Sequence, residues 1–452
     1  MLVSEFGRGT PHAVSNGMDE IPAPSAKQRI VILGGGFAGA YCAKALERFR
    51  DANYEVVLID RHNYFVFYPL LIEAGTAKIE PRHTVVPLRP FLKRTRFLSG
   101  EIVGVDTSAR KVSYHTPKRE GLRELEYDHL VVALGSSTRM PDIPGLRERA
   151  FRMKTLADAI ALRDHAIQML ELADSSTNAA EKTALLQFVV VGGNFTGVEL
   201  AGHLQELLNR ASRYYDNVHS TECRIILLEL SERILSALDE ELSDYAAVHL
   251  SRLGVDIRLQ TSVQQILPDF VRLTTGEQLA TNTVIWCAGV APNPVISKLD
   301  LPRDPNGYIL CDRDLLVTGF RNVWAIGDCA VNLDAQDRPY PAMAQHAIQE
   351  GRFLAENLLR VFKGDPALPC DIKTRGSLAA IGQHRGVARI GRYRLAGLTA
   401  WLLNRAYYLS KIPGAARKLR IGFDWCLDLI FSPDYVQVGI HTPDRSQDRK
   451  AA

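Results

Sequence analysis

Cysteine is scarce: seven residues in 452, at positions 42, 223, 287, 311, 329, 370 and 426, with no CxxC pair and no metal-ligand spacing. That excludes a disulfide-stapled scaffold and a cysteine metal knuckle. It suits reduced thiols in a cytoplasmic compartment, so neither a metal nor a structural disulfide is expected. Long apolar runs are missing as well, and none approaches the roughly 20 residues that a spanning helix needs. Charge is nearly balanced, with 54 Lys and Arg against 51 Asp and Glu and a net charge of +3. General nucleic-acid binding is therefore not expected, and any basic patch must be local. Residues 1–27 are polar and lack the apolar core of a signal peptide, so they read as a disordered leader. A chain of this length exceeds one ordinary core and predicts two or three domains.

What is present begins at Arg29. Ile30 to Leu33 is a short apolar run that predicts a buried parallel strand, and Gly34, Gly36 and Gly39 follow at GxGxxG spacing before a helix over Ala38 to Phe49. The first glycine permits the turn, the second lets a pyrophosphate approach the backbone, and the third lets helix pack on strand. A second apolar run, Glu55 to Ile59, ends in Asp60, where a carboxylate can accept from a ribose hydroxyl. The pattern recurs after a helix over Met153 to Leu172 and a polar loop at 174–183. Gln187 to Val191 is a strand, GGNFTG follows, Val198 to Leu208 is a helix, and Arg224 to Leu228 ends in Glu229. Asn194 replaces the second glycine, which a residue tolerant of unusual turn geometry can do. The charge of Glu229 favours NAD(H) over NADP(H).

Between and after these units lie further signals. The aromatic stretch 61–89 is broken by Pro69, Pro81 and Pro87 and is either a core-covering loop or a lid over a flat ring. Strands are expected at Glu101 to Asp106, Lys111 to His115, Leu130 to Leu134, Val255 to Leu259 and Thr283 to Trp286, with a helix over Leu242 to Leu253 and a hairpin over Val271 to Leu279. Asn322 to Ile326 is another buried strand, ending in Gly327 and Asp328 where an α/β sheet binds ligands. A long helix follows from Pro341 to Phe362, with Gln345 and Gln349 one turn apart on one face. Beyond residue 370 come strand-like segments and then an apolar stretch, Leu395 to Leu409, too short to span a membrane. A helix over Arg417 to Phe431 would place Arg417, Arg420, Asp424 and Asp428 on one stripe and Leu419, Phe423, Cys426 and Ile430 on the other. This is the pattern of an in-plane amphipathic membrane helix, the alternatives being packing on the protein's own core or a dimer seam.

The order of YPLLIEAGTAKIEPRHTVVPLR, GGNFTGVELAG, VIWCAGVAPNP, NVWAIGDCA, AMAQHAIQ, TRGSLAAIGQHRGVA and AWLLNRAYYL resembles the two-dinucleotide-binding-domain flavoproteins, and among them the type II NADH:quinone oxidoreductases. The likeness covers most of residues 28–435. It implies an α/β fold of two Rossmann-like dinucleotide-binding domains, the second inserted in the first, plus a C-terminal membrane-associating region. The domains would be 28–150 with 300–369 for FAD, 151–299 for NADH, and 370–452 for the membrane. FAD would be held by Gly34, Gly36, Phe37, Ala38, Gly39, Asp60, Ala133, Gly135 and Asp328. NADH would be held by Gly192, Gly193, Asn194, Thr196, Gly197, Glu229 and Gly289. Glu199, Gln345 and Gln349 would carry the quinone end, Glu199 in either a proton-delivering or a structural role. The implied protein is a non-proton-pumping, monotopic enzyme on the cytoplasmic face of the inner membrane, with a homodimer left open. Sulfide:quinone oxidoreductase is the rival enzyme, and its paired cysteines have no match here. A non-catalytic NADH sensor of the apoptosis-inducing-factor type is the rival from another class.

Overall fold

A computed structural model describes residues 27–49, 53–117, 121–382, 384–437 and 439. The expected leader lies outside the described residues except for Lys27. Two five-stranded parallel sheets organise the chain, and they are built alike. In the first, the order is Val323–Ala325, His129–Val132, Gln28–Leu33, Tyr54–Asp60 and Arg96–Ser99. In the second, it is Phe151–Arg152, Thr283–Trp286, Gln187–Val191, Arg224–Leu228 and Val255–Arg258. In both sheets the central strand leads into the glycine turn, and its neighbour ends at the acid. The central strands are covered on both faces, which is why they read as unbroken apolar runs: Ile30, Val31, Ile32 and Leu33 are fully buried, as are Phe188, Val189 and Val190.

The second sheet lies in sequence between strands of the first. Two linkers make that passage and pair with each other, Ser136–Thr138 antiparallel to Val290–Pro292. Each sheet also carries a three-stranded antiparallel meander, Glu101–Asp106 with Lys111–His115 and Leu122–Glu126, and Val263–Ile266 with Phe270–Leu273 and Gln278–Ala280. The third strand of the first meander was not expected. Nor was the helix Ala179–Leu186, which stands where a polar loop was read; Asn178 caps it by accepting from Ala180 and Glu181. The preceding helix, Leu156–Ser175, opens with a reciprocal capping box between Thr155 and Asp158.

Helix Phe37–Leu46 packs on Ala344–Phe362 at close range because the contact residues are small. A Cβ on Gly351 would lie 2.3 Å from the Ala38 carbonyl oxygen, so only glycine permits this crossing. The stretch 61–89 breaks into short strands, Tyr64–Val66 and Val85–Pro87, and the short helix Leu71–Gly75. After residue 370 come a three-stranded sheet, Ser377–Ala380, Gly386–Ile390 and Tyr393–Gly397, and two helices, Leu398–Lys411 and Ala415–Ile430. No helix among the described residues is long and apolar enough to cross a membrane.

The last helix has the two stripes read from the sequence, and the Asp424 and Asp428 end of the polar one faces the protein while Arg420 is exposed. Asp424 meets His83 at 2.5 Å, and the buried Asp428 accepts from Arg210 at 3.0 Å. Ile421 and Trp425 fill the seam beside them. Leu419, Phe423 and Ile430 point away, with 74, 64 and 74 % of their surface exposed.

Candidate functional site

The first glycine turn is shaped by what a side chain would meet. Gly34 has φ +102°, and a Cβ on Gly39 would lie 2.0 Å from the Gly34 carbonyl oxygen. At Gly36 the reverse holds, since nothing lies within 4 Å of an added Cβ. Gly36 caps the helix Phe37–Leu46 without a side-chain hydrogen bond, so the first-turn amides face open space at a helix N-terminus. That cradle fits a pyrophosphate. Phe37 is buried there against Phe65 and Phe67, with ring centroids 5.5 and 5.6 Å away. The Ala133 carbonyl oxygen closes on Gly34 from the neighbouring strand, and Gly135 turns the chain away with φ +67°.

The second turn repeats the geometry with one change. Gly192 has φ +109°, and a Cβ on Gly197 would lie 1.8 Å from the Gly192 carbonyl oxygen. Asn194 caps the helix Phe195–Ala211 by accepting from the Gly197 amide at 3.1 Å and donating to the Cys287 carbonyl at 2.8 Å. The asparagine thus has a structural task that glycine could not perform, and it uses one amide of the anion cradle. Thr196 lies partly exposed in the first turn, and Gly289, with φ +74°, lies beside Arg139.

Both acids turn back toward their loops. Asp60 accepts from the Gly35 amide at 2.6 Å and the His62 amide at 2.7 Å. Burial pushes its carboxyl up from the ordinary value, and these hydrogen bonds oppose the rise. Glu229 accepts from the Gly193 and Ser231 amides in the same pattern. Each carboxylate keeps acceptor capacity for the vicinal hydroxyls of a ribose. Asp328 accepts from Ser136 Oγ at 2.8 Å, which in turn accepts from Lys154 Nζ at 3.0 Å. Buried Glu350, which the sequence reading missed, accepts from the Gly327 amide at 2.6 Å and Asn332 Nδ2 at 2.9 Å. Burial, with the nearby Asp328 charge, pushes it up to about 7.

The three residues of the expected acceptor end come from different units and converge on one extended segment, Lys373 to Ala380. Glu199 Oε1 accepts from the Ala380 amide at 2.9 Å. Gln345 donates to the Gly376 carbonyl at 3.1 Å and accepts from the Arg375 amide at 3.0 Å. Gln349 donates to the carbonyls of Lys373 and Gln345, both at 3.1 Å. Burial pushes Glu199 up to about 8, the Ala380 hydrogen bond opposes this, and the charge of Glu73 adds to it. Glu73 is itself buried, accepts from Trp425 Nε1 at 2.6 Å, and has Arg405 at 3.9 Å, the Arg405 guanidinium being stacked between Trp401 and Trp425. Its mark in the sequence was a lone acid inside the apolar run PLLIEAG.

All seven cysteines are free, and only Cys426 is exposed. Burial holds Cys287 and Cys329 at about 12, far from the thiolate that disulfide exchange requires.

Two parallel sheets, each with a glycine turn beneath a helix and an acid on the next strand, define a protein built to hold two dinucleotides. The family model for pyridine nucleotide-disulphide oxidoreductases matches residues 28–351. A probable NADH dehydrogenase of Dictyostelium discoideum is 30 % identical over 419 residues, covering 90 % of each chain. A type II NADH:quinone oxidoreductase of Mycobacterium tuberculosis is 31 % identical over 426 residues, covering 90 % of this chain and 88 % of its own. The NDH2 of Plasmodium falciparum, solved in complex with NADH, superposes with a TM-score of 0.82 at 21 % identity over 91 % of this chain and all of its own. The chain belongs to the pyridine nucleotide-disulphide oxidoreductase family and, within it, to the type II NADH:quinone oxidoreductases.

Proposed function

We propose that this protein oxidises NADH and reduces a membrane quinone through a bound FAD, without pumping protons. The convergence of Glu199, Gln345 and Gln349 on the segment Lys373 to Ala380 carries this reading, because it brings a proton donor of the second unit to the sheet-end helix of the first. Bound FAD supplies the two-electron relay between nicotinamide and quinone. The glycine turn at Gly34, Gly36 and Gly39, with Asp60 and Asp328, would hold it. The turn at Gly192, Gly193 and Gly197, with Glu229, would hold NADH, and the Asn194 cap leaves that cradle one amide poorer than the first. Gln345 and Gln349 fix the backbone of 373–376 as one wall of the quinone pocket. Glu199 supplies a proton at the quinone oxygen.

The outward stripe of Leu419, Phe423 and Ile430 would lie in the interfacial region of a bilayer on the cytoplasmic face, a monotopic attachment that lets a quinone reach the pocket from lipid. Trp401, Trp425 and Arg405 pin these helices to the helix Leu71–Gly75 through Glu73.

Steady-state assays with NADH, NADPH and several quinones test this reading. NADH should be preferred, since Glu229 repels a 2′-phosphate. Glu229→Gln should narrow the NADH/NADPH ratio of kcat/KM by about tenfold, equivalent to about 1.4 kcal/mol. Equal efficiency with both cofactors in the wild type would contradict the assignment of Glu229, and failure to reduce any quinone would contradict the function.

A further inference from the structure

On the function just proposed, each turnover converts NADH, one proton and a quinone into NAD+ and a quinol. NADH brings two electrons and one proton, so the quinol's second proton must come from water. Glu199 is the donor at the end of that supply, and the structure shows what stands behind it. His203 follows Glu199 by one turn of the helix Phe195–Ala211, and Glu206 continues the same stripe. Lys78 completes the row from the facing segment, its Nζ lying 2.7 Å from His203 Nδ1 and 2.5 Å from Glu206 Oε2. Glu73, on the same segment, acts electrostatically on both Glu199 and His203. His203 and Lys78 are 1 and 5 % exposed. Burying ionisable groups at this depth is costly, and packing alone would be served by apolar side chains.

The outer end of the row lies at Gly382. A Cβ there would come 2.9 Å from Glu206 Oε1 and 3.6 Å from His249 Nε2, so a glycine leaves these two side chains a common space. His249 is part-exposed, and its buried Nε2 has no hydrogen-bond partner among the described residues. We propose that His249, Glu206, Lys78 and His203 form the route by which the proton consumed in each turnover passes from solvent to Glu199. Burial and the Lys78 charge hold His203 below its ordinary value, hence neutral, and the ammonium of Lys78 makes Nδ1 the acceptor. A proton enters His203 at Nδ1 from Lys78 and is released by the other ring nitrogen for Glu199, which stands one helical turn away. Glu206, whose carboxyl the Lys78 charge and the His203 hydrogen bond hold well below its ordinary value against its burial, stays ionised, so a proton taken from water at His249 passes along this carboxylate to Lys78 without resting on it, and no electron moves. The other charged or titratable groups bearing on the row are Tyr408 beside Glu199, and Arg385 and Arg252 beside His249.

The test uses the FAD-loaded enzyme with His203→Ala, and His249→Gln as a variant nearer the surface. In His203→Ala, reoxidation of the flavin by quinone should slow about tenfold while flavin reduction by NADH is unchanged, and added imidazole should restore the rate. The infrared band of the protonated Glu199 carboxyl should still titrate near pH 8, showing that the terminal donor is intact. His249→Gln should slow the same step less and also respond to imidazole. Reoxidation within about twofold of wild type, or slowing that imidazole does not relieve, would overturn the route. A wild-type enzyme that quinone does not reoxidise would instead overturn the function on which the route rests.

Discussion

Glu199→Ala is expected to slow reoxidation of the flavin by quinone about 100-fold, the usual size of a lost general acid, while NADH still reduces the flavin at nearly the wild-type rate. Glu199 sits at the end of a helix turn that opens from the second glycine loop, and its hydrogen bond goes to the backbone of the 373–380 segment. Its proton is available only below the raised value of about 8, so the quinone step of the wild type should fall off above that pH. Stability carries the same signature. Between the ordinary value of 4.5 and about 8 the folded protein keeps a proton that the unfolded chain has released, so stability falls as pH rises through this window. Glu199→Gln should flatten that slope in a pH series of thermal melts. A quinone step insensitive to Glu199→Ala would leave the residue a structural role only.

The second large effect concerns the outward stripe. Changing Leu419, Phe423 and Ile430 together to glutamine should cut partitioning onto anionic liposomes by two to four orders of magnitude, from about 1.5–3 kcal/mol for each fully buried apolar side chain scaled to the surface available. The fold should be unaffected, because these side chains are largely exposed while Ile421, Trp425 and Asp428 hold the helix to the protein. Flotation with liposomes checks this, and sedimentation without lipid checks the rival use of the stripe. Full-length protein that stays off liposomes but dimerises through these residues would make the stripe a subunit seam.

The two dinucleotide units were legible because their signals are local. A strand, three glycines, a helix and an acid lie within one stretch, and the positive φ of Gly34 and Gly192 with the tight contacts at Gly39 and Gly197 leave no other residue type admissible. The amphipathic last helix was legible for the same reason. Which stripe meets the protein was not, since that depends on His83 and Arg210, far away in sequence. The helix Ala179–Leu186 is short and its first turns fall in the polar stretch 174–183, which reads as loop, although Asn178 followed by Glu181 is a cap signal. Grouping Glu199, Gln345 and Gln349 at one end rests on the family resemblance and not on their spacing, because their shared partner is the backbone of 373–380, and backbone amides leave no mark in a sequence. Glu73 did leave one, a single charge inside the apolar run PLLIEAG.

Rapid mixing separates NADH-to-flavin from flavin-to-quinone electron transfer. The flavin-loaded protein is mixed first with NADH and then with a soluble quinone, and the flavin absorbance is followed in each step. Fast bleaching by NADH and prompt, complete recovery with quinone are expected, with no thiol reagent affecting either step. A reduced, long-lived charge-transfer complex that quinone fails to discharge would contradict the proposed function and make the protein an NADH sensor.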